Sequence, residues 1–151
     1  MMTESLNPRV EWEIREAIDK ISQGEWTISE TANKLLRIGI AIRVSGNEPK
    51  IEGPFGLPRP FAEISLSDRM TELRTELDDD LAERLTQEFD NKPNTAAREA
   101  IRLGVIAVAG DQFKIKGPEG GPRPFAQISL EEIGDPEARN LLEELRERIS
   151  G

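Results

Sequence analysis

Two short runs hold the side chains best suited to recognition chemistry. In Gly53-Pro54-Phe55-Gly56-Leu57-Pro58-Arg59-Pro60-Phe61 a guanidinium and an aromatic ring stand among prolines, and Gly117–Phe125 repeats the pattern with Arg123 and Phe125. A guanidinium forks onto carboxylate or phosphate oxygens, and a ring buries a large apolar area. Two assignments compete. As packing, the prolines fix a crossing path, Phe61 and Phe125 plug the core, and the arginines pair with a carboxylate or with helix C-terminal carbonyls. As recognition, two pre-ordered arms present Arg59, Phe61, Arg123 and Phe125 to a partner protein, since Arg and aromatic residues are favoured at such contacts. The expected division is by residue type, with the phenylalanines structural and the arginines at least partly exposed. The prolines lack P-x-x-P spacing, which sets aside an SH3-type ligand.

Other chemistry is thin. The chain has no Cys, His or Tyr. That removes disulfides, thiol nucleophiles, Ser-His-Asp catalysis and zinc sites with ordinary N/S ligands. Acid–base work is left to Asp, Glu and Lys, which need burial or a close charge to reach a useful pKa. Asp78-Asp79-Asp80 suggests a metal, but consecutive helical residues point about 100° apart and do not converge on one ion. No calcium-loop pattern D-x-[DN]-x-[DN]-G occurs. The triplet reads as a solvated acidic face. The Gly-rich run 117–123 lacks the Gly-Lys-Ser/Thr of a phosphate loop. No catalytic, cofactor-binding or metal-binding residue is therefore assigned, and the expectation is a protein that is not an enzyme and needs no cofactor.

The chain is written twice. KIEGPFGLPRPFAEISL at 50–66 matches KIKGPEGGPRPFAQISL at 114–130, and TANKLLRIGIAIRV at 31–44 lies over AAREAIRLGVIAV at 96–108. This is a tandem duplication of a unit of about 64 residues. A unit of that size is marginal alone, so the copies are expected to pack on one another. The divisions are repeat unit 1 over 1–66, repeat unit 2 over 67–132 and a C-terminal helix over 133–151.

These elements must position the arms. Asn7-Pro8 opens a first helix through Val10, Ile14, Ala17, Ile18 and Ile21, ended by Gly24. Thr27 and Glu30 have capping-box spacing and start a second helix that stops at Gly39. Ile40, Ile42 and Val44 alternate as a strand, returning through Ser45-Gly46-Asn47 to Lys50-Ile51 as a β-hairpin. The run 53–61 follows as an extended, polyproline-like arm. Ser67 or Asp68 caps a long helix with Leu73, Leu77, Leu81, Leu85 and Phe89. In the second copy Asn94 or Thr95 caps a helix ended by Gly104, and 105–115 forms a hairpin around Gly110-Asp111. Asp135-Pro136 opens the last helix, with Ala138, Leu141, Leu142, Leu145 and Ile149 on one face. The fold class is α+β: two helix–helix–hairpin units with Pro-rich arms, related by a pseudo-twofold axis, plus a C-terminal helix.

Helix, glycine, then an apolar hairpin (LLRIGIAIRV and AIRLGVIAV) is similar to the end of a winged helix-turn-helix. The resemblance covers about 25 residues per copy, and copy one has room for two of the three helices the family places before its wing. It implies DNA contacts from Lys34, Arg37 and Arg43 in copy one and from Arg98 and Arg102 in copy two. Charge opposes this. The net charge is −9, spread as about −2, −5 and −2 over the three divisions, and such a surface repels phosphate backbones. Trp12 and Trp26 are expected as core or interface anchors. No apolar run approaches the ~20 residues of a membrane helix, and the start lacks a secretory pattern, which reads as cytoplasmic. The reading is a cytoplasmic regulatory or adaptor protein that binds another protein, with a transcription regulator as the alternative. Nucleic acid is disfavoured as a partner, a membrane is not expected, and self-association stays compatible with the sequence.

Overall fold

The computed structural model describes residues 4–45, 50–52, 58–60, 69–89, 92–109, 114–116, 122–124 and 134–150. Strands β1 (Glu4–Leu6) and β2 (Arg9–Glu11) lead into helices α1 (Trp12–Ser22) and α2 (Ile28–Ser45), then strands β3 (Lys50–Glu52) and β4 (Pro58–Pro60). The order then recurs: β5 (Met70–Glu72), β6 (Thr75–Leu77), α3 (Asp79–Glu88), α4 (Pro93–Ala109), β7 (Lys114–Lys116) and β8 (Pro122–Pro124), with α5 (Pro136–Ser150) last.

The early strands pair across the molecule. β1 runs antiparallel to β6 with Glu4 opposite Leu77, and β2 runs antiparallel to β5 with Arg9 opposite Glu72. Both ladders belong to one register. Between them Leu73 N–H donates to the Pro8 carbonyl at 2.8 Å, and beyond them Trp12 N–H donates to the Arg69 carbonyl at 3.0 Å. Residues 4–12 and 69–77 thus form a single two-stranded ribbon, interrupted where Pro8 has no N–H to return.

This ribbon corrects two expectations. Helix α1 starts at Trp12, not at Asn7-Pro8, and the long helix from Ser67 or Asp68 is replaced by β5, β6 and α3. A spacing of four explains both misreadings. Four is even, so residues i and i+4 share a face in a strand as well as in a helix. Leu73 and Leu77 lie on the inner face of the ribbon, and Leu81 and Leu85 continue the same stripe along α3. Leu6, Val10, Ile14 and Ile18 do the same in β1, β2 and α1.

Helix α2 runs through Gly39 to Ser45, and α4 runs through Gly104 to Ala109. The helix stops and apolar hairpins expected at these glycines are absent from the described residues. The glycines serve closeness instead. A Cβ on Gly39 would strike the backbone carbonyl of Ala100, and one on Gly104 would strike that of Leu35. Two backbones that approach so tightly leave room only for hydrogen. The contact is reciprocal, since each glycine meets the residue four positions before the other. Ile40 and Ile42 mimic a strand because α2 is covered by α1, α3, α4, α5 and β6, and a helix buried nearly all round loses its 3.6-residue signature.

The hairpins stand further along the chain. β3 pairs with β4, placing Ile51 opposite Arg59, and β7 pairs with β8, placing Ile115 opposite Arg123. The middle of each Pro-Arg-Pro run is therefore a strand and not a free polyproline arm. In each, only the arginine has an N–H, so Arg59 and Arg123 supply the ladder's donor while the prolines turn their nitrogens to the outer edge. The turns at Gly46-Asn47 and Gly110-Asp111 lie outside the described residues.

Several starts are where local chemistry puts them. Thr27 Oγ1 accepts from Glu30 N–H at 3.1 Å and donates to Glu30 Oε1 at 3.3 Å, so the expected cap forms at Thr27 with the Glu30 carboxylate on its hydroxyl. Asp135 Oδ1 accepts from Glu137 N–H at 3.0 Å and opens α5. Helix α1 ends as Gln23 and Gly24 take left-handed φ values of 52° and 74°. Ala138, Leu142 and Leu145 of α5 join a hydrophobic cluster drawn from α1 to α4 and from both strands of the ribbon. Arg148 Nε donates to the Ile21 carbonyl at 2.9 Å and Arg146 Nε to the Ala107 carbonyl at 3.0 Å, tying α5 to the ends of α1 and α4.

Candidate functional site

Alternation along the ribbon sends Leu6, Pro8 and Val10 inward with Leu73, Thr75 and Leu77, while Ser5, Asn7, Arg9, Glu72, Arg74 and Glu76 are exposed. Across the outer face Ser5 stands opposite Glu76 and Arg9 opposite Glu72, and the same register sets Asn7 opposite Arg74. The outer edges are held by the first turns of the long helices. Asn7 N–H donates to Asn94 Oδ1 of α4 at 3.0 Å, and Glu76 N–H donates to Ser29 Oγ of α2 at 3.0 Å. Asn33 adds two bonds at the β6–α3 junction, donating to the Glu76 carbonyl and accepting from Asp78 N–H. Ser29 and Asn94 occupy matching places, ten residues before Gly39 and Gly104. The ribbon is thus a polar face tied at both edges to the helices. Arg9, Glu72, Arg74 and Glu76 form no side-chain hydrogen bond or ion pair among the described residues.

The helix cations singled out in the sequence are placed differently. Arg102 is fully buried with its Nη2 at 3.0 Å from the equally buried Glu11 carboxylate, and Arg98 reaches the same carboxylate at 3.3 Å. Burial pulls the Arg102 guanidinium below its ordinary range, opposed by the Glu11 charge. Arg37 forks onto Asp78 at 3.0 Å and Asp80 at 2.9 Å. These bonds raise the Arg37 pKa and hold the Asp80 carboxyl below its usual range. Arg43 lies 3.8 Å from Glu99 and 4.3 Å over the Phe89 ring. Lys34 sits 4.6 Å over Trp26, whose ring also carries Arg148 at 3.8 Å. All five thus have contacts inside the molecule.

Sequence reasoning missed the partners of these arginines. Arg37 and Arg102 each stand two residues before the close-approach glycine, and each reaches the residue just before the helix that follows the ribbon, Asp78 or Glu11. The one signal in the sequence is an acid at the end of an alternating run whose four-residue spacing also fits a helix. Asp78 and Asp80 form part of a pair with Arg37 and are not merely a solvated acidic face.

Arg59 and Arg123 stand at the centres of β4 and β8. Phe61 and Phe125 lie outside the described residues. Trp12 is 39% exposed beneath Arg69, whose guanidinium carbon is 5.4 Å from the ring centre, and Trp26 is half-buried against the core. A polar groove of about 510 Å³ separates α2 from the first turn of α5, lined among others by Lys34, Arg37, Glu76 and Glu137. Among the described residues, no group of three or more Asp, Glu, His or Cys could hold a metal ion, and no helix is long and apolar enough to cross a membrane. No protein-family model, curated protein or solved structure matches the chain.

Proposed function

We propose that the chain is a non-enzymatic regulatory protein that acts by binding, with the outer face of the ribbon laid in the major groove of duplex DNA. The reading takes the chain as a duplicated strand–helix–helix–hairpin unit, its copies related by a pseudo-twofold axis through the Asn7–Arg74 pair. Leu6, Val10, Ile14 and Ile18 then superpose on Leu73, Leu77, Leu81 and Leu85. One observation carries the assignment: a two-stranded ribbon with six alternating polar side chains on its solvent face. The major groove, about 12 Å wide, admits such a ribbon. Arg, Asn, Ser and Glu are the side chains that hydrogen-bond base edges there.

The face carries two Arg and two Glu, and the whole chain is at −9, so phosphate attraction contributes little. Base contacts would supply most of the specificity, with a shallow salt dependence. Fluorescence anisotropy on duplexes enriched from a random pool should give sequence-dependent binding at 50 mM salt. Arg9→Ala or Arg74→Ala should weaken it about tenfold or more, the ~1–3 kcal/mol of a good base contact, with the melting temperature unchanged. Variants that bind like the unmodified chain would exclude the ribbon as the contact surface.

A protein partner is the second reading. The acidity of the chain and the internal pairing of Lys34, Arg37, Arg43, Arg98 and Arg102 favour it. Its contacts would be Arg59, Phe61, Arg123 and Phe125 around the two Pro-Arg-Pro strands, in the cytoplasm. Capture of the same partner from lysate with and without nuclease, lost on Arg59→Ala and Arg123→Ala, would support it over DNA.

A further inference from the structure

We infer that the DNA site of this protein is not palindromic, and that the chain binds it in one fixed orientation. This rests on the DNA-binding reading above and goes beyond it to the symmetry of the ligand.

Beneath the ribbon the two copies match in kind. Leu6 corresponds to Leu73, Val10 to Leu77, Ile14 to Leu81 and Ile18 to Leu85; seven of these are buried in one hydrophobic cluster and Leu6 packs against it. On the outer face they do not. Rotation by 180° about the Asn7–Arg74 pair carries Ser5 onto Glu72, Asn7 onto Arg74 and Arg9 onto Glu76. No pair is alike, so the symmetry of the support is lost on the surface that would meet the ligand.

The mismatch has a sign. Arginine only donates hydrogen bonds and an ionised glutamate only accepts them. Arg9 suits the O6 and N7 acceptors of guanine, whereas Glu76, in the mate position, suits the N4 amino group of cytosine. An acceptor-rich base edge that satisfies Arg9 repels Glu76 placed against the same edge. Asn7 and Arg74 divide similarly, asparagine suiting adenine and arginine guanine. A symmetric dimer presents one surface twice and so reads a palindrome. This chain presents two surfaces of opposite hydrogen-bonding character.

The ends of the ribbon are about 13 Å apart, the length of four strand residues, or roughly four base-pair steps. One end holds Arg9 with Glu72 and the other Ser5 with Glu76. Helix α5, which has no counterpart among the described residues of copy one, marks the second end. Its Glu137 and Leu141 line the same groove as Glu76. Whatever docks on α5 would therefore always face the same flank of the DNA site.

Three measurements test this. Selection from random duplexes with the full chain should enrich a motif without a dyad, and Arg9→Ala should relax one end of that motif only. The triple variant Glu72→Ser, Arg74→Asn, Glu76→Arg gives both strands the same outer face, and it should enrich a palindrome instead. All three positions are exposed, and a melting curve checks the fold. The chain has no cysteine, so Glu137→Cys offers a single attachment point for an iron chelate that cleaves nearby DNA. Cleavage on one flank of the site is expected. A palindromic motif from the unmodified chain, or equal cleavage on both flanks, overturns the inference and leaves DNA binding standing. Failure to enrich any duplex overturns both.

Discussion

At the scale of single residues, the decisive contrast is between arginines with a buried partner and arginines with none. Arg102 and Glu11 are both fully buried, and such a pair is maintained because neither charge tolerates the other's loss. Arg102→Ala should cost about 3–5 kcal/mol in urea unfolding, chiefly through the stranded Glu11 carboxylate. Arg37 is partly exposed and its aspartates more so, so Arg37→Ala should cost about 1 kcal/mol or less. The Arg37 pairing leaves a pH signature. The Asp80 carboxyl titrates below its ordinary 3.8 in the folded protein. Its contribution is therefore present above the unfolded value and is lost as pH falls through the lower folded value. Melting temperature followed from pH 6 to pH 2 should drop more in the unmodified chain than in Arg37→Ala, modestly, because Asp80 is 56% exposed. An equal drop would show that Arg37 does not hold Asp80. The arginines themselves were legible as singular in the sequence. Their partners were not, because Glu11 and Asp78 come close only once a strand from each half has crossed the molecule.

At the scale of elements, legibility followed the locality of the signal. The starts of α2 and α5 were readable because a capping side chain and the N–H it serves lie within three residues. The ribbon was not, because four-residue spacing satisfies strand and helix alike and the partner strand is 66 residues distant. Gly39 and Gly104 misled for a related reason. A glycine near the end of an apolar run has the form of a helix stop, and only the facing backbone reveals it as a contact. The two uses make opposite predictions. At an ordinary exposed helix position Gly→Ala stabilises by about 1 kcal/mol. Here Gly39→Ala and Gly104→Ala should each destabilise by about 1–3 kcal/mol, since the new methyl meets a main-chain carbonyl that only a shift of the whole helix can relieve. The double variant should fall short of additivity, because one separation of α2 from α4 accommodates both methyls. An increase in urea midpoint for either single variant would rule out this close approach.

At the scale of the whole molecule, the strand pairing decides what half a chain can do. Residues 4–11 pair with 70–77 and, among the described residues, with no strand of their own half, and Gly39 and Gly104 each meet the opposite helix. A fragment ending at residue 66 therefore keeps α1, α2 and the β3–β4 hairpin but loses the other ribbon strand and the far side of its core. Such a piece is too small to offset its chain entropy with what remains. Separated at Ser67, fragment 1–66 should be unfolded or aggregated, or fold only by pairing with a second copy of itself through the same reciprocal contacts. Circular dichroism and sedimentation across a hundredfold range of concentration distinguish these states, since a melting temperature that rises with concentration marks the self-paired form. The intact chain should melt at a temperature independent of concentration, because its two halves are already joined. A fragment 1–66 that is monomeric, helical and cooperative in its melt would mean that the ribbon and the α2–α4 crossing do not hold the fold together.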